Sequence, residues 1–133
     1  MTKALADTSF FVAILNPGDA DHAAALAWSQ REDLTVVVTE FVLVELGNFL
    51  AKAPQRERLP GLVAFLRNNP RAMIVPVSSA LFDSGLDLYA RRPDKTWSLT
   101  DCISFVVMKE QGLTGALTAD HHFGQAGFTA LLR

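Results

Sequence analysis

The chain has one cysteine, Cys102, which excludes an internal disulfide framework and any zinc site built on paired cysteines. It has no uninterrupted apolar run close to the ~20 residues of a membrane span. The N-terminus is briefly reminiscent of an export signal, because Lys3 precedes the apolar run Phe10 to Leu15. Asp7 interrupts that stretch, however, and Asn16-Pro17-Gly18-Asp19 closes it as a turn. The expectation is a soluble, unexported protein of the reducing cytoplasm, with no membrane partner. A basic excess is also missing: 12 Lys and Arg stand against 14 Asp and Glu, for a formal net charge of −2. That argues against strong metal-free binding to a polyphosphate, which rests on basic surface. Divalent cations bound to an acidic cluster reverse the arithmetic, since they put positive charge where a phosphate must sit. No Gly-rich phosphate loop, Gly-x-Ser-x-Gly elbow, internal repeat, low-complexity tract or linker is present.

What remains is a globular composition. Of 133 residues, 50% are hydrophobic and 20% charged. This fits one domain, 1–133, able to bury about two thirds of its unfolded surface. Short strands and helices alternate along it. Ala4 to Asp7 reads as a first strand, Thr8 to Leu15 and His22 to Glu32 as helices, and the β-branched run Thr35 to Val38 as a buried strand. Thr39 is placed to cap a helix reaching about Ala51, and a further helix spans about Arg56 to Asn68. Met73 to Val77 follows as a strand, and Ser79 opens a helix to about Arg92. Thr100 is expected to cap a helix ending at Gln111 before Gly112. Gly115 to Thr118 is a fourth strand, and Phe128 to Leu132 a short last one. Such alternation predicts an α/β domain with a central, mainly parallel sheet between helical layers. Ligands of such sheets sit at the carboxyl ends of strands.

Four acids can reach that edge. Asp7 ends the first strand, and Asp120 follows the fourth. Glu45 and Asp101 lie early in helices. Each also has an ordinary structural reading. Asp7 and Asp101 suit a helix N-terminus, and Asp120 suits a turn. Glu45 is the most informative. Its helix, Phe41-Val42-Leu43-Val44-Glu45-Leu46 with Phe49 and Leu50, is apolar nearly all round and is expected to be buried. A carboxylate there calls for a cationic partner, a metal, or a side chain that points at solvent. Together the four carboxylates suit hard divalent cations such as Mg²⁺ and Mn²⁺, which can activate water and offset charge on a phosphate. Crowding them in one cleft is expected to raise at least one carboxyl pKa. His121 and His122 read as solvated turn residues, and Asp83 and Asp87 as a solvated helix face.

These residues resemble a known family. Ala6-Asp7-Thr8-Ser9-Phe10, Thr39-Glu40-Phe41-Val42-Leu43-Val44-Glu45, Trp97-Ser98-Leu99-Thr100-Asp101-Cys102 and Leu117-Thr118-Ala119-Asp120-His121-His122-Phe123 are similar to the motifs of PIN domains, above all the toxin ribonucleases of bacterial toxin–antitoxin pairs. Each motif is short and unspecific alone; their order and spacing, from Ala4 to about Phe128, are specific. The resemblance implies an α/β/α sandwich that hydrolyses RNA with Mg²⁺ or Mn²⁺ held by Asp7, Glu45, Asp101 and Asp120. Thr8, Ser9 and Thr118 match small hydroxyl positions that orient a carboxylate or water. By analogy it also implies a homodimer and a cognate antitoxin. The stretch Arg91, Arg92, Lys95 and Trp97 is a candidate RNA contact, against the alternative of a solvated loop around a packed Trp.

Competing readings are a non-toxin RNA-processing nuclease of the same kind, a non-catalytic RNA-binding or regulatory module, an aspartyl-nucleophile phosphatase and a signalling receiver domain. The phosphatase needs a second Asp two positions after Asp7, where Ser9 stands. The receiver needs adjacent acids after the first strand and a late lysine, and neither is present where expected.

Overall fold

The structure is a computed structural model describing residues Thr2 to Arg133. At its centre is strand β1 (Thr2–Ala6), whose last three residues are buried. On one side β1 pairs with β2 (Leu34–Thr39), which pairs with β3 (Ala72–Val75). On the other it pairs with β4 (Gly115–Leu117), and β5 (Thr129–Ala130) closes that edge. The order is β3-β2-β1-β4-β5, and every pairing is parallel.

Parallel neighbours cannot be joined by a tight hairpin, so each connection must cross over the sheet. Helices α1 (Thr8–Leu15) and α2 (His22–Ser29) lead from β1 to β2, and α3 (Glu40–Phe49) and α4 (Arg58–Arg67) from β2 to β3. Helices α5 (Ser79–Arg91) and α6 (Leu99–Gln111) lead to β4, and α7 (His121–Gln125) to β5.

Strand side chains alternate between faces, and the two cores divide accordingly. Ala4, Ala6, Val38 and Leu117 meet Phe10, Phe11, Val42 and Leu46 from α1 and α3. Leu5, Val37 and Ala116 meet Ile103, Phe105, Met108 and Phe123 from α6 and α7. Both faces are covered, giving the α/β/α sandwich expected from the alternation of elements.

Boundaries move for local reasons. β3 stops at Val75 because Pro76 has no N–H for a ladder. α2 ends at Ser29, whose hydroxyl donates to the Leu26 carbonyl. Thr39 caps α3 as expected, accepting from the Val42 N–H at 3.1 Å. Thr100 is not the cap of α6. Ser98 is, in a capping box with Asp101, because Ser98 and Asp101 have the three-residue spacing that lets each side chain reach the other's N–H. Gly112 ends α6 at φ 67°, a left-handed conformation that glycine adopts without strain. Helix α7 was not expected from the sequence; five residues are too few for a periodic signal.

Helix α5 packs on α6 through Gly85. A Cβ there would lie 2.3 Å from Ile103 Cγ1 and 3.2 Å from Ile103 Cα. Because backbone is involved, a rotamer change alone cannot relieve the clash. Gly85→Ala is therefore expected to lower stability by about 1–3 kcal/mol through overpacking, outweighing the helix-propensity gain of about 1 kcal/mol. A thermal melt several degrees below that of the parent is the expected result; an unchanged or higher midpoint would show that the two helices separate easily.

Candidate active site

The strand order reverses beside β1, with β2 and β3 following on one side and β4 and β5 on the other. The crevice outside the carboxyl ends at such a reversal is where open α/β sheets bind ligands. Asp7 directly follows β1 and Thr118 directly follows β4, so the two meet there. Thr118 Oγ1 donates to Asp7 Oδ2 at 2.9 Å, and Ser9 Oγ donates to the same oxygen at 2.9 Å. Asp7 occupies the N-cap position of α1 yet makes no capping hydrogen bond. Its carboxylate is committed to the crevice. Only 6% exposed, it has a pKa pushed up to about 6, first by burial and then by the nearby Asp101 charge, against the opposing pull of the Thr118 and Ser9 hydroxyls. The crowding expected to raise a carboxyl pKa is thus the smaller cause; loss of water is the larger.

The other three acids line the same cleft, about 460 Å³ in volume. Glu45 enters from the second turn of α3, and its Oε1 accepts from Thr8 Oγ1. Its helix is less buried than its sequence implies. Glu45 is half-buried, while Val44 and Phe49 are 58% and 66% exposed. The apolar residues beyond the α1 contact face solvent rather than core. Asp101 is buried in the first turn of α6, and its Oδ2 accepts from the Ser98 N–H at 3.2 Å. Its pKa is raised, burial again being the largest cause. Asp120 caps α7, its Oδ1 accepting from the His122 N–H at 2.9 Å. The Asp120 N–H in turn donates to Thr118 Oγ1 at 3.0 Å, which ties this turn to Asp7. A carboxylate has about four lone-pair sites, so these anchors fix orientation and leave acceptor capacity facing the cleft.

Sequence reasoning missed part of the lining. His121 is solvated, with a side chain 75% exposed, but His122 is not. Its side chain is 17% exposed, with Nδ1 3.4 Å from Asp101 Oδ2 and 3.3 Å from Asp120 Oδ1. Asp19 and Asp21, from the turn after α1, also line the cleft, as do Thr96 and Ser98. Nothing in the local sequence separates these from ordinary turn residues; α7, the α1–α2 turn and the loop before α6 carry them in.

The lining holds Asp7, Asp19, Asp21, Glu45, Asp101 and Asp120 and no lysine or arginine. So many acceptors without a cationic side chain fit a hard divalent cation. Of the stretch Arg91 to Trp97, Thr96 alone lines this cleft; Arg92, Lys95 and Trp97 line a separate pocket that shares Thr96 with it. Arg91 pairs with Asp87, and Arg92 with Asp94. Trp97 is 5% exposed and packs edge-on against Phe105. Arg92 and Lys95 lie over its ring. Buried in this way, Trp97 offers no platform for stacking a base; it supports the cations above it. A second cavity of about 400 Å³, lined mainly by apolar residues such as Phe10, Phe11, Leu34 and Leu62 with Arg31 and Arg71 also in its wall, contains none of the four predicted acids.

Residues 4–129 match the PIN domain family, and the chain belongs to it. It is thus a nuclease of the PIN class. It is similar to the 23S rRNA-specific endonuclease VapC20 of Mycobacterium tuberculosis, in strains CDC 1551 / Oshkosh and ATCC 25618 / H37Rv. The two are 29% identical over 122 residues, 92% of this chain and 92% of that protein. The crystal structure of Mycobacterium tuberculosis VapC20, titled a sarcin-ricin loop cleaving toxin, matches with a TM-score of 0.82 at 28% identity. The match covers 95% of this chain and 96% of that one. FitAcB from Neisseria gonorrhoeae shares the fold, with a TM-score of 0.62 at 20% identity over 96% of this chain and 94% of that one.

Burial of Asp7 has a measurable consequence. A carboxyl pKa of about 6 in the fold, above the ordinary 3.8, means the folded state holds its proton more tightly than the unfolded chain. Stability from this group is full below about pH 4 and is lost as pH rises through 6, by roughly 3 kcal/mol in total. Asp7→Asn, which keeps the shape and both hydroxyl partners, escapes that loss. With chelator present, the melting temperature of the variant relative to the parent is expected to climb between pH 4 and pH 7. A difference independent of pH would show that Asp7 titrates normally.

Proposed function

We propose that the protein is the toxin of a toxin–antitoxin pair, an endoribonuclease whose divalent cation, Mg²⁺ or Mn²⁺, is held by Asp7, Glu45, Asp101 and Asp120. The observation that carries this reading is the cleft itself: acids from β1, α3, α6 and the β4–α7 turn converge on one space, with no lysine or arginine in its lining. When bound, the cation supplies the charge that activates water and offsets the charge developing on the phosphate.

The chain's own residues supply the rest. Thr118 and Ser9 hold the Asp7 carboxylate from one side, so that its orientation survives loss of solvation. Thr8 does the same for Glu45. A rigid, dry Asp7 makes the metal-free site costly, and cation binding relieves that cost. Arg92 and Lys95 line a neighbouring pocket that shares Thr96 with the acidic cleft, which supports their meeting RNA phosphates without reading sequence. One domain, 1–133, carries the whole activity.

The ribosomal RNA named for VapC20 is the first substrate to test. Exposed apolar side chains such as Val44, Phe49, Phe65, Phe82, Leu86 and Tyr89 suit a chain that spends its life covered by an antitoxin and a second copy of itself. No helix among the described residues is long and apolar enough to cross a membrane, and with its lone buried thiol, Cys102, the protein fits the cytoplasm.

The decisive experiment is cleavage of ribosomal RNA by purified, partner-free protein. Cutting is expected with Mg²⁺ or Mn²⁺ and none with chelator; cleavage that survives chelation rejects the mechanism. Asp7→Asn should reduce the rate by orders of magnitude and abolish any growth arrest on expression. Arrest by the variant equal to that of the parent would mean that toxicity does not come from this cleft.

A further inference from the structure

His122 is the one side chain of the cleft that neither its helix nor its neighbours account for. Its Nδ1 is buried and has no hydrogen-bond partner. Two carboxylate oxygens lie near it, Asp120 Oδ1 at 3.3 Å and Asp101 Oδ2 at 3.4 Å, yet neither is placed to accept a hydrogen bond from it. Its other ring nitrogen, Nε2, lies 3.2 Å from Thr96 Oγ1. With Nε2–H donated to that hydroxyl, the Nδ1 lone pair points into the acids. In that tautomer a lone pair facing two carboxylates at that range is repulsive, and either a proton on Nδ1 or a cation shared by the three groups relieves it.

We infer that His122 Nδ1 is a ligand of the cation that Asp101 and Asp120 help to hold, and that it turns the site towards transition ions such as Mn²⁺ in preference to Mg²⁺. The inference rests on the metal-dependent reading above. The spacing fits: donors sharing one ion at about 2.1 Å lie roughly 3.0 Å apart in octahedral and 3.4 Å apart in tetrahedral geometry. The second contact fits as well, since a metal-bound imidazole usually anchors its far nitrogen on an oxygen that fixes tautomer and ring angle. Here that oxygen is Thr96 Oγ1. Imidazole is a better donor for Mn²⁺, Co²⁺ or Zn²⁺ than for Mg²⁺, which favours oxygen and keeps its water. His121, also near Asp120 at 3.5 Å but largely exposed, serves as the internal control.

The test is pulsed electron paramagnetic resonance of the full-length protein loaded with Mn²⁺, together with calorimetric titration of Mn²⁺ and Mg²⁺ separately. The parent is expected to show nitrogen coupling from a directly bound imidazole. His121→Asn should keep it and His122→Asn should lose it. Affinity for Mn²⁺ should fall by about tenfold or more in His122→Asn, with a much smaller change for Mg²⁺. If His122→Asn does not fold, the parent spectrum alone still decides. Bound Mn²⁺ without nitrogen coupling, or coupling lost only with His121→Asn, overturns this inference and leaves the nuclease reading standing. Failure of both ions to bind overturns the two together.

Discussion

The buried carboxylate of Asp7, hydrogen-bonded to Thr118 and Ser9 where the strand order reverses, is the constraint around which this structure is arranged. A carboxylate there is costly. Its pKa is displaced to about 6, and among the described residues no lysine or arginine lines the cleft to offset the charge. The fold tolerates it because Asp7 is covalently the next residue after the buried end of β1, and because Thr118 is the next residue after the strand beside it. Parallel register therefore delivers the acid and its hydroxyl donor to one point. The remaining acids are each held by a bond with a local structural purpose: Asp101 closes a capping box, Asp120 caps α7, and Glu45 accepts from Thr8.

That double use explains why each acid looked ordinary alone. Capping is a genuine role for Asp101 and Asp120, and it coexists with lining the cleft. A helix N-terminus at the carboxyl edge of a parallel sheet aims its first turn at the crevice. A side chain that satisfies an N–H there also stands at the ligand site. Asp7 is the exception, because it has the capping position and ignores it.

The same economy shapes α6. Its length is buried between the sheet and α5, which leaves it apolar on nearly every side from Cys102 to Met108. α5 approaches closely enough to need Gly85. A rigid α6 holds Asp101 still, and through Trp97 and Phe105 it also fixes the neighbouring pocket wall that carries Arg92 and Lys95. Packing far from the cleft thus sets the distances within it.

Sequence alone determined the alternation of strands and helices, the parallel sheet with two covered faces, and the acids Asp7, Glu45, Asp101 and Asp120 as a set. These are legible because buried strands and amphipathic helices have fixed periods, and because the four acids stand in motifs whose order and spacing resemble those of PIN domains. Tertiary structure decided the rest. α7 is too short to have a period, so neither its existence nor the burial of His122 could be read beforehand. Asp19 and Asp21 join the cleft only because the turn after α1 folds back across it. Trp97 had two readings from sequence, an RNA contact or a packed side chain, and the structure packs it against Phe105. The apolar outer face of α3, expected in the core, lies in solvent. In each case the deciding fact is which residues distant in the chain come to lie alongside. Local propensity carries no information about that, whereas register and packing fix it.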